Sequence, residues 1–167
     1  MNQSQAYENI VKKYSEPLYW HIRRLVVSHE DAQDILQDTL SSVFLSMWQL
    51  RDPGKTQAWL YTIATNKAKR FLRRKARDLH CEDISDHLCD MLSDSQYVNY
   101  DKAAAVDLHK AILKLPPKQQ LVFNLHFFDE MDYEKISKIT GMSENTVKVN
   151  YHIAKTKVTQ FIYEEEL

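Results

Sequence analysis

Apolar residues recur three or four positions apart along most of this chain, and the strict alternation typical of β-strands is almost absent. A spacing of three and four places apolar side chains on one face of an α-helix. The pattern therefore predicts an all-α protein. The predicted helices cover about residues 4–27, 30–50, 57–77, 102–114, 117–128, 132–140 and 143–163.

Between these helices, the breaks in the pattern predict the domain organisation. The chain has only two glycines, and Gly141 lies where a left-handed backbone would close one helix before the next. Residues 78–101 are rich in Asp, Ser and His and lack sustained periodicity, which predicts a flexible acidic linker. The sequence thus predicts two small helical domains, residues 1–77 and 102–167, joined by that linker.

The last two predicted helices have the order of a helix-turn-helix. Ser143 follows the turn at Gly141 and is a good N-cap, because its hydroxyl can accept a backbone N–H. The apolar residues of the second helix recur at steps of four and three: Val147, Tyr151, Ala154, Val158 and Phe161. The opposite face offers amide, ammonium and imidazole groups suited to a DNA major groove: Asn145, Lys148, Val149, His152 and Lys155. Two packed helices with a solvated polar face remain the alternative.

The net charge of −1 conceals an uneven distribution, because residues 67–77 contain seven Lys or Arg and no acid. On a helical wheel, the helix over 57–77 turns its apolar residues to one side. A second side combines an aromatic ring, an amide and arginines: Trp59, Thr62, Asn66, Arg70, Arg73 and Arg77. A ring that stacks on a base, beside guanidinium groups that hold the backbone, favours single-stranded nucleic acid. The alternatives are a solvated basic face and a Trp59 that packs against another helix or the loop near residue 50.

The helix predicted over 30–50 has an acidic first half. The helix dipole explains acids in the first turn, but Asp34, Gln37 and Asp38 lie beyond it. These residues predict an acidic docking face for a basic or polar helix of a partner protein.

Three segments, in order, resemble conserved regions two and four of bacterial sigma factors: "DAQDILQD", "TQAWLYTIATNKAKRFLRRKAR" and "AILKLPPKQQLVFNLHFFDEMDYEKISKITGMSENTVKVNYHIAK". They resemble in particular the small extracytoplasmic-function group of the sigma-70 family, which has two such domains and a linker. Three ordered motifs are more specific than any one of them. The resemblance implies a factor that binds core RNA polymerase and directs promoter-specific initiation, recognising and melting promoter DNA.

The resemblance also implies a role for each face. Asp34, Gln37 and Asp38 would dock on the clamp coiled coil of the largest polymerase subunit. The minus-ten element would be opened and held as single strand by Trp59, Asn66, Lys69, Arg70, Arg73 and Arg77. The minus-thirty-five element would be bound as duplex by Asn145, Thr146, Lys148, Val149, His152 and Lys155. An anti-sigma factor is a further implied partner.

The chain departs from the family pattern at a few positions. The resemblance implies that the loop from Leu50 to Gln57, called the capture loop, helps to hold the melted minus-ten element, and Leu50 stands where the family often has an aromatic residue ahead of it. Asn150 and Ile153 stand where the family commonly has two arginines, and Glu130 replaces a frequent glycine. These departures predict weaker phosphate contacts by the last helix.

Several other classes of protein are not favoured. A stand-alone helix-turn-helix regulator that binds duplex operators remains the alternative, but it leaves Trp59 and the acidic face without a function. No segment is apolar enough to span a membrane or act as a signal peptide, which predicts a cytoplasmic protein without membrane insertion. Cys81 and Cys89 lack the paired spacing of a metal site and are interpreted as reduced thiols. No catalytic motif occurs, so neither an enzyme nor a cofactor is expected.

Overall fold

The computed structural model describes residues 2–79, 84–93 and 103–165, nearly all of them helical. The amino-terminal half has three long helices, α1 Gln3–Val26, α2 His29–Ser46 and α3 Thr56–Asp78. Two short 3-10 turns, Met47–Gln49 and Pro53–Lys55, connect α2 to α3. The remaining helices are α4 Ile84–Ser93, α5 Ala103–Leu113, α6 Pro117–Phe127, α7 Tyr133–Thr140 and α8 Glu144–Glu165. No strand occurs within the described ranges, and the all-α prediction is confirmed.

One predicted feature was wrong: the middle of the predicted linker is the helix α4. Ile84, Leu88 and Leu92 recur every four residues and form an apolar stripe, too short to stand out among acidic neighbours. Leu88 and Leu92 are buried in a cluster with Val27 and Leu113. Apolar contacts with Val27 of the amino-terminal half and Leu113 of the carboxy-terminal half therefore hold α4 in place.

The other parts of the predicted linker are only partly described. Residues 80–83 and 94–102 lie outside the described residues, so the linker prediction stands untested there. Asp86 of α4 forms an ion pair with Lys114, which follows α5. The acidic character of this segment thus contributes to packing against the carboxy-terminal half.

A single hydrophobic cluster includes residues from both predicted domains. Leu18 and Leu60 of the amino-terminal half share it with Leu121 and Ile136 of the carboxy-terminal half. All four side chains are at most 3% exposed. Because α1 also contacts α6 and α3 contacts α7, the two halves form one packed body.

Polar side chains from both halves meet in what we call the junction cluster: His21, Arg24, Tyr61 and Asp129. Asp129 lies in the turn between α6 and α7, and its side chain is 7% exposed. Arg24 Nη2 and the Tyr61 hydroxyl donate hydrogen bonds to Asp129 Oδ1 at 3.2 and 3.1 Å. His21 Nδ1 lies 3.8 Å from Asp129 Oδ2, and its Nε2 pairs with the Thr65 hydroxyl at 2.9 Å. The Asp129 carboxylate therefore joins α1 and α3 to the turn between α6 and α7.

Burial changes the acid–base behaviour of these groups. Burial, and next the charge of Arg24, lower the pKa of His21 to about 3. Burial likewise lowers the pKa of His109 to about 4, although its Nε2 lies 3.1 Å from the Arg24 carbonyl oxygen. Burial raises the pKa of Asp129, and the Arg24 charge opposes that rise. Both histidines are therefore neutral at pH 7.

The turn that positions Asp129 contains a strained residue. Glu130 has φ of 54°, in the left-handed region, where the family often has glycine. A side chain there costs about 1–2 kcal/mol relative to a right-handed conformation. Packing around Asp129 must offset that cost.

Candidate functional site

The predicted docking residues lie together on the exposed side of α2. Asp34, Gln37 and Asp38 are all exposed. The buried side of the same helix is formed by Ala32, Ile35, Thr39 and Val43. Asp31 differs, because it is half-buried and its Oδ2 lies 3.4 Å from Lys75 Nζ. Asp34 and Asp38, in contrast, form no ion pair within the described part of the chain.

α3 aligns the predicted single-strand face along its whole length. Viewed down the helix, four residues lie within about 40° of Trp59: Asn66, Arg70, Arg73 and Arg77. All four are exposed, as is Lys69 at the edge of the face. At 1.5 Å per residue, the row from Trp59 to Arg77 is about 27 Å long. A positive row of this length suits several phosphates of a single strand.

The amino-terminal end of α3 borders a cavity of about 520 Å³. The loop from Gln49 to Asp52, together with Ala58, Trp59 and Thr62, forms most of its wall. Trp59 is half-buried and packs against the main hydrophobic cluster. Lys138 of α7 also lines this cavity, so the other half of the molecule borders the predicted capture loop.

A second connection at this end joins Lys135 of α7 to the start of α3. Lys135 Nζ donates a hydrogen bond to Gln57 Oε1 at 2.6 Å. Gln57 belongs to the predicted capture loop. The helix-turn-helix and the capture loop are therefore in direct contact in this structure.

Farther along α3, the basic face borders a larger cleft of about 840 Å³. Asn66, Lys69 and Arg73 form one wall of this cleft. Ile84 and Leu88 of α4 contribute to its lining, as do residues 113–117 between α5 and α6. The predicted single-strand face is thus exposed to solvent on one side and bordered on the other by α4 and residues 113–117.

The helix-turn-helix forms as the sequence predicts. Gly141 has φ of 78° and ends α7, and its N–H donates to the Ser137 carbonyl oxygen. Asp132 caps α7 by accepting the Lys135 backbone N–H at 2.8 Å. Ser143 Oγ accepts the Thr146 N–H at 3.1 Å, and α8 follows.

α8 presents the predicted duplex-binding residues to solvent. All of them are exposed: Asn145, Thr146, Lys148, Val149, His152 and Lys155. Val147, Ala154 and Val158 on the opposite side are buried, so the helix is held by one face. No helix packs on the exposed face within the described residues.

Two positions on α8 differ from the others. The Thr146 hydroxyl pairs with Ser143 Oγ at 2.8 Å, so it belongs to the cap of the helix. Asn150 Nδ2 donates to the Thr146 carbonyl oxygen at 2.9 Å, and its side chain therefore lies along its own helix. Neither side chain extends from the helix as a long basic residue would.

The junction cluster is the polar site that the sequence did not indicate. Arg24 and Asp129 are 105 residues apart, and Tyr61 and Asp129 are 68 apart. Tyr61 follows Leu60 in α3. The helical wheel defined a single apolar side for this helix and predicted no partner for Tyr61. Tyr61 is buried between His21 of α1, whose ring lies 4.9 Å away, and Asp129 of the carboxy-terminal half.

The described residues show no metal centre and no membrane span. No group of three His, Cys, Asp or Glu side chains among them is arranged to bind a metal ion. Cys89 is buried, which raises the pKa of its thiol, and Cys81 lies outside the described residues. None of the described helices is both long and apolar enough to cross a bilayer.

The geometry of α7 and α8 defines a helix-turn-helix DNA-binding protein. Models of two families match the chain: "Sigma-70 region 2" over residues 10–78 and "Sigma-70, region 4" over residues 105–158. The RNA polymerase sigma factor SigV of Bacillus subtilis is 30% identical over 129 residues, which are 77% of this chain and 74% of SigV. The sigma-E factor of Streptomyces coelicolor is 27% identical over 168 residues, covering 100% and 92% of the two chains. The chain belongs to the RNA polymerase sigma factors, in the extracytoplasmic-function group.

Solved structures share the fold. The sigma factor RpoE of Bartonella quintana, in complex with the anti-sigma factor NepR, superposes with a TM-score of 0.76 and is 20% identical. That match covers 95% of this chain and 98% of RpoE. CnrH in complex with the cytosolic domain of CnrY gives a TM-score of 0.70 at 20% identity, over 96% and 90% of the two chains.

Membership of this family settles the class of function. The protein is a sigma factor that acts with core RNA polymerase in the initiation of transcription at promoters. Sigma factors are not enzymes. The alternative of a stand-alone regulator is not favoured, because both sigma regions are present in order.

Proposed function

We propose that three exposed faces of this sigma factor divide the work of initiation. Asp34, Gln37 and Asp38 bind the clamp coiled coil of the polymerase. The minus-ten element binds as single strand along α3, and the minus-thirty-five element binds as duplex along α8. The observation that supports this division is that an acidic, a basic and a polar face lie exposed on three different helices.

The chemistry of each face suits its proposed target. The carboxylates on α2 complement a basic helix of the polymerase. The arginines of α3 neutralise phosphates, while Trp59 and Asn66 contact bases. On α8, Asn145 and His152 reach base edges, and Lys148 and Lys155 reach phosphates or guanine.

We assign these roles to two units, residues 1–77 for the polymerase and the minus-ten element and residues 102–167 for the minus-thirty-five element. The protein is proposed to act in the cytoplasm, where polymerase and promoter DNA meet, and to catalyse no reaction itself. An anti-sigma factor is a further proposed partner, since the similar sigma factor RpoE of Bartonella quintana was solved in complex with the anti-sigma factor NepR.

One experiment tests the assignment of the docking face. Purified protein is mixed with promoter duplex at physiological salt, with and without core polymerase. We expect specific binding and strand opening only with core, because a net charge of −1 gives little affinity for phosphates. Asp38→Arg should abolish association with core while helicity is unchanged.

A matched control separates a local effect from a general change of charge. Glu16 is exposed on α1, and Glu16→Arg changes the charge by the same amount away from α2. It should bind core like the wild type. Specific promoter binding by the wild type without core, or equal loss in both variants, would contradict the assignment.

A second pair of variants tests the single-strand face. Trp59→Ala and Asn66→Ala should retain core binding and reduce promoter opening, because they remove the proposed base contacts. Trp59 also packs against the main hydrophobic cluster, so the circular dichroism of Trp59→Ala is measured alongside, and the exposed Asn66 carries the cleaner test. Normal opening by both variants would exclude the proposed role of this face.

A further inference from the structure

The carboxy-terminal end of α2 presents two large apolar side chains to solvent. Leu45 is 72% exposed and Trp48, in the 3-10 turn that follows, is 75% exposed. They are the most exposed of the large hydrophobic residues in the described part of the chain. Exposed apolar side chains that adjoin one another commonly mark a protein-binding surface.

Two other exposed aromatic residues of the amino-terminal half have partners within the protein. Trp20 is in edge contact with Tyr19 at 5.2 Å, and Phe44 is in edge contact with Tyr7 at 5.1 Å. Trp48 has no such ring contact among the described residues. Its exposure is therefore not explained by packing inside the molecule.

The two residues continue the acidic docking face along the same side of α2. Leu45 follows Asp34 by eleven positions, which places it about 20° from Asp34 around the helix. Trp48 follows Leu45 by three positions, so the 3-10 turn keeps it near that side. Between Asp38 and Trp48 this side contains no charged residue.

The position of Trp48 argues against a role in base capture. The cavity beside the capture loop is lined by Gln49, Leu50 and Trp59, and Trp48 does not contribute to it. Trp48 therefore lies at the end of α2 and outside the wall of the cavity that borders the proposed single-strand face of α3.

We propose that Leu45 and Trp48 form the apolar second half of the surface that binds core polymerase. This proposal rests on the proposed function of Asp34, Gln37 and Asp38. The occupant is one helix of the polymerase, with basic residues against the carboxylates and apolar residues against Leu45 and Trp48. The two halves of the surface are about 10 Å apart, the rise of seven helical residues. A buried tryptophan is a frequent centre of binding energy in protein interfaces.

Equilibrium binding of the full chain to core polymerase, without DNA, tests the proposal. The double variant Leu45→Ser, Trp48→Ser should bind at least about tenfold more weakly, as expected when apolar anchors are removed. Trp48→Phe should retain most of the affinity. Because both residues are exposed, the circular dichroism of the variants should match that of the wild type.

Tyr163 provides the matched control, because it is 65% exposed near the end of α8. Tyr163→Ser should leave core affinity unchanged. If the double variant binds core as tightly as the wild type, the proposal is overturned. Loss of promoter opening in that variant would then assign Leu45 and Trp48 to DNA binding, and loss of self-association would assign them to a contact with a second copy of the chain. If Asp38→Arg alone loses affinity, the proposed function stands without this extension. If the wild type does not bind core, the proposed function itself fails.

Discussion

The two proposed DNA-binding faces differ in how the rest of the molecule surrounds them. On α8 the proposed duplex-binding face is fully exposed, and the helix is held only by its opposite side. On α3 the single-strand face is exposed along the arginines, but Trp59 is half-buried beside a cavity that Lys138 of α7 also lines. The face on α8 is open to solvent, whereas the face on α3 is bordered at its Trp59 end by the second half of the chain.

The difference has a physical origin in the junction between the halves. α8 packs mainly on α5, α6 and α7 of its own half, although Val147 also belongs to the hydrophobic cluster shared with the amino-terminal half. α3 buries two sides, one against α1 and α2 and another, through Tyr61, against the carboxy-terminal half. If Trp59 binds a base as proposed, the access of that base should depend on the contact between α3 and α7.

The largest expected effect comes from removing the carboxylate of the junction cluster. Asp129→Ala leaves Arg24, whose side chain is only 14% exposed, without its ion-pair partner and removes the acceptor of the Tyr61 hydroxyl. Loss of one member of a buried ion pair costs about 3–5 kcal/mol. Denaturant unfolding measures this loss, and labels at Ser41 and Thr156 report whether the halves separate.

Glu134→Ala is the control for that measurement. Glu134 forms an exposed ion pair with Lys138, 3.4 Å away, and such pairs contribute at most about 1 kcal/mol. A loss below about 1 kcal/mol for Asp129→Ala would show that the junction cluster does not hold the halves together.

A change of pH should weaken the same junction reversibly. The pKa values of His21 and His109 are about 3 and about 4 in the packed protein, below the ordinary value of 6.5. When the halves separate or unfold, both histidines take up protons below pH 6.5, so the packed state loses stability as the pH falls from about 6.5. Between pH 7 and pH 5 the loss is about 2 kcal/mol or less for each histidine.

Nearby charges modify this dependence in a definite direction. Arg24 and Arg23 disfavour the charged form of His109. The raised pKa of Asp129 acts oppositely to the histidines, because lower pH relieves the cost of burying its carboxylate. Unfolding of wild type, His21→Gln and the exposed control His152→Gln at both pH values checks the sign. Equal pH dependence in all three would contradict the role of His21.

On the exposed face, Lys148→Ala should weaken duplex binding without affecting the junction. Loss of one phosphate contact should reduce the affinity of the holoenzyme for a promoter duplex about threefold to tenfold, and the slope of affinity against salt by about one. Lys157 is the matched control, because it projects about 180° away from Lys148 and bonds to Gln119. Binding measured at several salt concentrations distinguishes the Lys148→Ala variant from the Lys157→Ala control. Equal slopes of affinity against salt for both variants would exclude a phosphate contact by Lys148.

The smallest expected effect concerns the hydrogen bond between the capture loop and α7. Gln57→Ala removes the acceptor for Lys135 Nζ and should cost about 0.5–1.5 kcal/mol. Lys135→Ala provides the other half of a double-mutant cycle, in which the two losses should not add. Strict additivity would show that the bond contributes nothing to the contact.

Local features of the fold were largely predictable from the sequence. The Gly141 turn, the Ser143 cap and the stripe from Val147 to Val158 depend on residues within one or two helices, and all were confirmed. The exposed sides of α2 and α8 followed from the same periodicity. The binding roles of these faces remain predictions.

Features that depend on contacts between distant segments were not predictable. α4 was missed because its few apolar residues acquire a partner only when Val27 and Leu113 are brought near. Tyr61 and Asp129 were missed because a helical wheel describes one helix at a time. Packing of Trp59 against another helix or the loop near residue 50 was among the alternatives. The position of Lys138 at the same cavity could not be predicted, because it depends on how the two halves pack together.

The shared carboxylate of Asp129 has a consequence for how such proteins can diverge or be recombined. Since each half is proposed to bind one promoter element, the halves could be expected to be exchangeable between related proteins. Yet a carboxy-terminal half without an acid at position 129 would leave Arg24 and Tyr61 buried without their acceptor. Grafting the α8 recognition face alone would preserve that match, whereas swapping the whole half would demand compensating changes in α1 and α3.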